Sequence, residues 1–409
     1  MYRPDLEAAS PDVVRDRQLA RFNDLLARIL PAHAFYRRTF GGLTPPLSWD
    51  EFHTLPFTTK ADIAALATHP REHYVTYHQT SGTTGLPLAI LDTDESWEWW
   101  TECWQYVYAA AGVTAHDRIF FAFSFGPFIG FWSAHAAARR LGAQTIPGGG
   151  LDSKGRLQLI HSSQATVLMC TPTYALRLAD VAYAEGIAIR DGSIRVSIHA
   201  GEPGASIPSV RARIEESWGA RAFDHAGGTE VGAYGFSCEA RDGIHLNEAE
   251  FIGEVLDPVT ERPCEEGAAG ELVITNLGRA GWPAIRYRTG DIVVSGTRVC
   301  RCGRRFLTFP GGIVGRTDDL IILRGINVFP SAIEAVVRTF EITEFRMVRT
   351  RDGSMDELTV EVEASGDVTA HLARALRERL AVRIPTRAVP AGSLPRWELK
   401  AKRLVDERS

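Results

Sequence analysis

Long hydrophobic runs are missing from this 409-residue chain. No stretch approaches the roughly 18 consecutive apolar residues of a membrane span, which excludes that class. No export leader is expected, because the opening MYRPDLEAASPDVVRDRQLA is charged from Arg3 and has no apolar run. Cysteine is scarce, with six residues, too few for a disulfide scaffold at this length, and the expected compartment is reducing. Neither sign of charge dominates. Forty-five basic against 50 acidic residues, spread along the chain for a net charge of -5, give no field that would gather nucleic acid or an anionic membrane. Internal repeats and low-complexity tracts are also lacking. These absences leave a soluble, cytoplasmic protein whose partner is a small molecule or another protein.

The sequence holds more apolar side chains than one core usually absorbs, 45% of it being hydrophobic, so a large domain and a smaller one are expected. Between positions 13 and 40, Leu19, Phe22, Leu25, Leu26 and Ile29 recur at helical spacing until Pro31, which predicts an amphipathic helix. From Tyr74, β-rich runs (YVTYHQT, RIFFAF, AQTIPG, ATVLMC, RVSIHAG) alternate with helical ones (FWSAHAAARRLG, LQLIHSSQ, ALRLADVAYAEG). That alternation predicts an α/β domain with largely parallel strands. After Ala226 short strands with Gly and Pro turns predict an antiparallel, barrel-like section. From about Thr317 a separate set (SAIEAVVRTF, LTVEVEAS) predicts a compact α+β unit, with the boundary near 316–319.

The segment TSGTTGLP (80–87) is the most informative short run. Hydroxyls on Thr80, Ser81, Thr83 and Thr84 interleave with Gly82 and Gly85 after a β-like stretch. Glycine lets backbone N–H groups approach an anion, and hydroxyls donate to phosphate oxygens; a plain flexible turn is the alternative. The GKS or GKT ending of a P-loop NTPase is absent, which argues against that machinery. Farther along stand HAGEP (199–203), HAGGTEVG (225–232), YRTGD (287–291), GRTDD (315–319) and PRWELKAKRLVDER (395–408). Each places charged or hydroxyl groups in or beside a small-residue or charged turn.

In this order, and preceded by AFYRRTF (34–40) and LPFTTKADI (55–63), these segments resemble the adenylate-forming superfamily of acyl-CoA synthetases, peptide-synthetase adenylation domains and luciferases. Within it the resemblance is to the phenylacetate-CoA ligase group, and it covers nearly the whole chain. It implies an N-terminal adenylation domain, 1–317, and a mobile C-terminal domain, 318–409, carrying the catalytic lysine. Residue by residue, it implies that Thr80, Ser81, Gly82, Thr83, Thr84 and Gly85 bind phosphates and that Gly201, Glu202 and Pro203 lie against the adenine. Thr229 would touch the α-phosphate and Glu230 would hold Mg²⁺, a hard cation suited to carboxylate. Asp291 would accept from the ribose hydroxyls, since two carboxylate oxygens can take both. Arg316 would contact ribose or phosphate, Asp318 would be the hinge, and Gly325 would lie on the pantetheine path. The catalytic ammonium falls on Lys400, with Lys402 as the fallback. One position departs from the group: a residue that is often Tyr is Ala226 here, so adenine stacking must come from elsewhere or be weaker.

Phe121, Phe123 and Phe125 fall on one face of an expected strand, followed by Gly126, Phe128, Gly130, Phe131 and Trp132. Aromatic walls around a glycine suit a flat ring, and ordinary core packing is the alternative. The resemblance places the acid pocket at Phe123, Phe128, Ile129, Gly130 and Ala200. Cys238 and His245, with six residues between them, precede Cys300-Arg-Cys302. Four such ligands can surround a structural Zn²⁺ tetrahedrally, and similar positions occur in some members of the group.

The function implied is ATP-dependent activation of an aromatic carboxylic acid as an acyl-adenylate, with pyrophosphate released, then transfer to a thiol, coenzyme A. Rival readings keep the adenylation but use a carrier-protein thiol, or activate nitrite for reaction with an aryl amine, or retain nucleotide binding without turnover. A homodimer is left open.

Overall fold

The computed structural model describes residues 1–67, 69–79, 88–323, 326–352, 355–364, 368–397 and 401–408. Helix Pro11–Ile29 occupies the segment expected from periodicity; Ser10 caps it, Pro11 opens it, and Phe22, Leu25, Leu26 and Ile29 are its buried stripe. Among the described residues, no helix is long and apolar enough to cross a membrane.

The main sheet has eight strands. From edge to edge they run Thr308–Phe309, Ile244–Leu246, Gly232–Phe236, Arg221–Gly228, Val196–His199, Val167–Cys170, Arg118–Phe121 and Gln144–Pro147. The last five pair in parallel and the first three antiparallel. Strands such as Val167–Cys170 and Val196–His199 are buried along their whole length, as apolar strands of a parallel sheet covered by helices should be. One apolar core joins helix Pro11–Ile29, helix Asp94–Ala111 and one face of the sheet. A second core, including Leu157, Tyr174, Leu178, Ile214 and Trp218, covers the other face.

The section expected to be barrel-like is an open sheet. Phe251–Leu256, Ala269–Asn276, Tyr287–Val294 and Ile313–Arg316 pair antiparallel in that order, and the two outer strands do not pair with each other. Four strands are too few to close around a core, and this sheet instead packs against the main one through Phe251, Leu272 and Ile274.

A third core, from Ile321 to Ile384, belongs to the C-terminal stretch. There Ile342–Asp352 and Met355–Ala364 form an antiparallel pair, flanked by parallel Leu404–Asp406 and Thr386–Ala388. Helices Pro330–Val337 and Thr369–Leu380 pack on it.

Candidate active site

Strand order reverses in the parallel part of the main sheet: Arg118–Phe121 lies between Gln144–Pro147 and Val167–Cys170. Ligands of open α/β sheets bind beyond the carboxyl ends of strands at such a switch point. Three of the sequence motifs sit there. Phe123 to Gly130 follow Arg118–Phe121, the turn 200–203 follows Val196–His199, and Thr229–Glu230 follow Arg221–Gly228.

The Thr229–Glu230 turn is held from beneath. Arg279, buried, donates Nη1 to the carbonyls of Thr229 (2.9 Å) and Glu230 (3.1 Å). Its Nε and Nη2 grip the Asp92 carboxylate at 2.6 and 2.8 Å, and its guanidinium lies over the Trp100 ring. The Glu230 carboxylate makes no ion pair among the described residues. His225, in the same motif, donates Nδ1–H to the Gly235 carbonyl at 2.7 Å and packs against Trp104. Burial pulls its pKa down to about 4, so the ring stays neutral at physiological pH.

Asp291 is the centre of a second cluster. Its Oδ2 accepts from the Tyr234 hydroxyl at 2.9 Å and its Oδ1 from Arg316 Nη1 at 2.8 Å. Burial pushes the Asp291 carboxyl above its ordinary range; Arg316 and the Tyr234 hydroxyl oppose that, and the Glu230 charge adds to it. Two acidic groups close enough to feel each other are a setting that a divalent cation relieves. Arg316 also donates Nε to Asp318 at 2.9 Å, so one guanidinium spans the expected ribose residue and the expected hinge residue. Gly290 has a left-handed φ of 75°, and a Cβ there would lie 2.9 Å from the Arg316 guanidinium. Glycine is therefore what lets the Asp291 turn and Arg316 approach.

In the turn after Val196–His199, Gly201 has a φ of 96°, and Gly204 lies so close to Pro172 that a Cβ would meet it at 2.3 Å. Both oxygens of Glu202 are engaged: Oε1 accepts from the Thr173 N–H at 2.8 Å and Oε2 from the Ala401 N–H at 2.9 Å. Burial raises its pKa, and those two hydrogen bonds oppose the rise. Pro203 is partly buried beside it.

Strand Arg118–Phe121 ends before Phe123 and Phe125, short of the strand expected there. The chain instead folds back, and Phe123, buried, meets Phe128 edge-on at 6.2 Å between centroids. Gly130, at φ 41°, completes the cluster, with a Cβ there falling 2.7 Å from both rings. Ile129 and Ala200 pack against the same core. The Gln79 N–H donates to the Pro127 carbonyl at 2.7 Å, which ties the strand Tyr74–Gln79 to this aromatic segment. The phosphate-loop residues Thr80 to Gly85, Gly325 and Lys400 lie outside the described residues.

Cys238, His245, Cys300 and Cys302 come together at the far edge of the main sheet, their ligand atoms all within 4.8 Å of one another. Cys238 Sγ is 3.7 Å from Cys300 Sγ, and Cys302 Sγ is 3.6 Å from His245 Nε2. Zn–S bonds of about 2.3 Å in a tetrahedron give edges of about 3.8 Å, so the spacing fits that ion. His245 Nδ1 faces the Phe306 carbonyl at 3.4 Å, the outer contact that fixes a metal-binding imidazole.

Residues 44–279 match the AMP-binding enzyme family and residues 325–408 match the AMP-binding enzyme C-terminal domain. The chain belongs to the AMP-binding enzyme family. Within it, this enzyme is phenylacetate-CoA ligase-like, an AMP-forming ligase. It is 31% identical to phenylacetate-coenzyme A ligase of Thermus thermophilus, with both chains covered completely. Among solved structures it superposes on 2-hydroxyisobutyryl-CoA ligase in the postadenylation state in complex with R3-HIB-AMP with a TM-score of 0.93, at 28% identity, covering 99% of this chain and 92% of that one. Against the same ligase in complex with 2-HIB-AMP and CoA in the thioesterification state the TM-score is 0.75, at 29% identity and the same coverage.

Two residues of this AMP-binding enzyme's site carry no signal in the sequence. Tyr234 and Arg279 stand outside the quoted motifs, and only the fold brings them to Asp291 and to the Thr229–Glu230 turn. The Gly130 geometry yields a test. Gly130→Ala places a methyl against Phe123 and Phe128, and is expected to lower kcat/KM for the acid by about tenfold, the scale of one methyl misfit in an apolar pocket. The KM for ATP should stay within about twofold of wild type. Initial rates with each substrate varied in turn check this.

Proposed function

We propose that this ligase activates an aromatic carboxylic acid with ATP and passes the acyl group to coenzyme A. The observation that carries the reading is the placing of Thr229–Glu230 and of the aromatic cluster of Phe123 and Phe128 around Gly130 after the carboxyl ends of parallel strands of one sheet, with Asp291, held by Arg316, within reach of the Glu230 charge. The carboxylate attacks the α-phosphorus of ATP, the P–O bond to pyrophosphate breaks, and an acyl-adenylate forms. The thiol of coenzyme A then attacks the acyl carbonyl and AMP leaves. Asp291 is suited to the ribose hydroxyls, Arg316 to ribose or phosphate, Gly201 to Pro203 to the base, and Lys400 with the 80–85 loop to the phosphates. Glu230 would hold Mg²⁺, which supplies charge neutralisation at phosphate oxygens. The relative named for phenylacetate supports the aromatic acid; that named for 2-hydroxyisobutyrate supports coenzyme A as acceptor.

The test is pyrophosphate release from ATP and Mg²⁺ across aryl and branched aliphatic acids, with and without coenzyme A. Thioester formed from an aryl acid only with coenzyme A present supports the reading. Pyrophosphate without thioester points to a carrier-protein acceptor, and silence on every acid, with AMP released on nitrite plus an aryl amine, overturns it.

On this reading residues 1–317 bind both substrates and 318–409 move about Asp318 between the two half-reactions. The higher similarity to the postadenylation state than to the thioesterification state of one relative supports placing the present arrangement with the first half-reaction.

Cys238, His245, Cys300 and Cys302 fit a closed, structural Zn²⁺ site. Its place at the sheet edge, joining the strand Ile244–Leu246 to the loop that carries Cys300 and Cys302, gives the metal the role of a staple. Metal analysis is expected to find about one zinc per chain in the wild type and none in Cys302→Ser. The replacement should lower the unfolding free energy on the order of 3 kcal/mol, a fraction of the roughly 10–16 kcal/mol of peptide zinc sites, because this fold has cores of its own. Urea titration measures the second effect.

A further inference from the structure

Glu202 makes two contacts that nucleotide binding does not explain. Its Oε1 takes the Thr173 N–H, in the first turn of helix Pro172–Ala184, where a negative charge is favoured by the helix dipole. Its Oε2 takes the Ala401 N–H, 199 residues away along the chain, immediately after Lys400 in sequence. Two residues farther on, the buried Arg403 sends Nη1 to Thr173 Oγ1 at 3.4 Å and to Glu334 at 3.2 Å, and Nε to Glu344 at 2.8 Å. The Arg403 carbonyl accepts from the Met347 N–H at 2.7 Å, and Leu404–Asp406 then pair with Met347–Arg349 in the C-terminal sheet. The segment from 401 is thus built into the C-terminal sheet at one end and fastened to the helix Pro172–Ala184 and the 200–203 turn at the other.

We infer that Glu202 is a positioning residue that latches the chain beside Lys400 onto the adenylation site, and so selects the conformer that makes acyl-adenylate. The inference rests on the function proposed above and extends it to the balance between half-reactions. The latch is geometric: a carboxylate with one oxygen fixed on a helix N-terminus presents the other to a single amide, and that amide adjoins the proposed catalytic lysine. When the C-terminal unit leaves, the Ala401 N–H is given up and the freed oxygen turns to water. With the domain movement proposed above, the contact belongs to one conformer, so its strength biases the equilibrium between conformers and leaves the chemistry of either one alone. Hydrogen bonds to a charged acceptor are of the strength that changes such an equilibrium by about tenfold or more.

The experiment compares wild type, Glu202→Gln and Glu202→Ala in three assays. Pyrophosphate release at saturating acid and ATP is expected to fall about tenfold in Glu202→Gln, which keeps length but loses one acceptor oxygen, and further in Glu202→Ala. The KM for ATP should change less than kcat. Thioester formation from supplied acyl-adenylate and coenzyme A should fall less than pyrophosphate release in both variants, and circular dichroism shows that they fold. Hydrogen exchange of the peptide containing Ala401, followed by mass spectrometry, should quicken in both. A raised KM for ATP at unchanged kcat would overturn the latch in favour of direct contact with the nucleotide, and equal losses in the two half-reactions would reduce Glu202 to a structural part. If wild type itself adenylates no acid, the proposed function has failed, and exchange at Ala401 still decides the latch: unaltered exchange in Glu202→Gln overturns it.

Discussion

Lys400→Ala is expected to slow acyl-adenylate formation by about 10²- to 10³-fold, the loss of some 2.7–4 kcal/mol of charge stabilisation around the α-phosphate. Thioester formation from supplied acyl-adenylate should continue at the wild-type rate, because in the proposed second half-reaction the C-terminal unit has carried this lysine away. Lys402→Ala should leave both half-reactions within about twofold. Lys402 is exposed and lies between two anchored positions, Ala401 on Glu202 and Arg403 on Glu344. Single-turnover measurement of each half-reaction separates the two lysines. Slowing by Lys402→Ala, with Lys400→Ala near the wild-type rate, would move the catalytic ammonium to Lys402 and shift the alignment of the motif.

HAGEP and HAGGTEVG were legible because each sits where a strand ends and a small-residue turn begins, and YRTGD because Gly290 interrupts the strand Tyr287–Val294 with a conformation that suits glycine. Gly201 and Gly290 have left-handed φ angles, and the neighbouring Glu202 and Asp291 are what those turns present. The parallel order of the main sheet followed from alternation of strand and helix, since that alternation requires crossovers. The open sheet after Ala226 was misread as barrel-like because short strands with Pro and Gly turns look alike whether or not their outer members meet. Pairing between distant strands is a property of register, which composition does not encode. The aromatic run was placed on a strand that stops at Phe121. Apolar alternation continued to Phe125, but the strand ends at Phe121, and Phe128, beyond Gly126 and Pro127, folds back on Phe123. Glu202 was readable as part of a nucleotide turn, whereas its link to Ala401 needs two segments that only the tertiary fold brings together.

Arg279 shows how one unflagged residue can set both stability and geometry. Its guanidinium and the Asp92 carboxylate are both fully buried, so removing one partner leaves the other charged and without a counter-ion. Asp92→Ala is expected to cost about 3–5 kcal/mol in unfolding free energy, read as a lower midpoint in urea. Replacing both, as Asp92→Leu with Arg279→Leu, removes two buried charges together and should recover much of that loss, since apolar residues of similar volume often substitute for a buried pair without penalty. The double variant nevertheless leaves the Thr229 and Glu230 carbonyls without the donors that fix their turn. If Arg279 positions Glu230 for the phosphates, pyrophosphate release should stay at least about tenfold below wild type in the refolded-stable double variant, a scale set by small misplacements of a reacting group. Recovery of activity together with stability would show instead that the turn holds its shape without Arg279, and that the buried pair serves the fold alone.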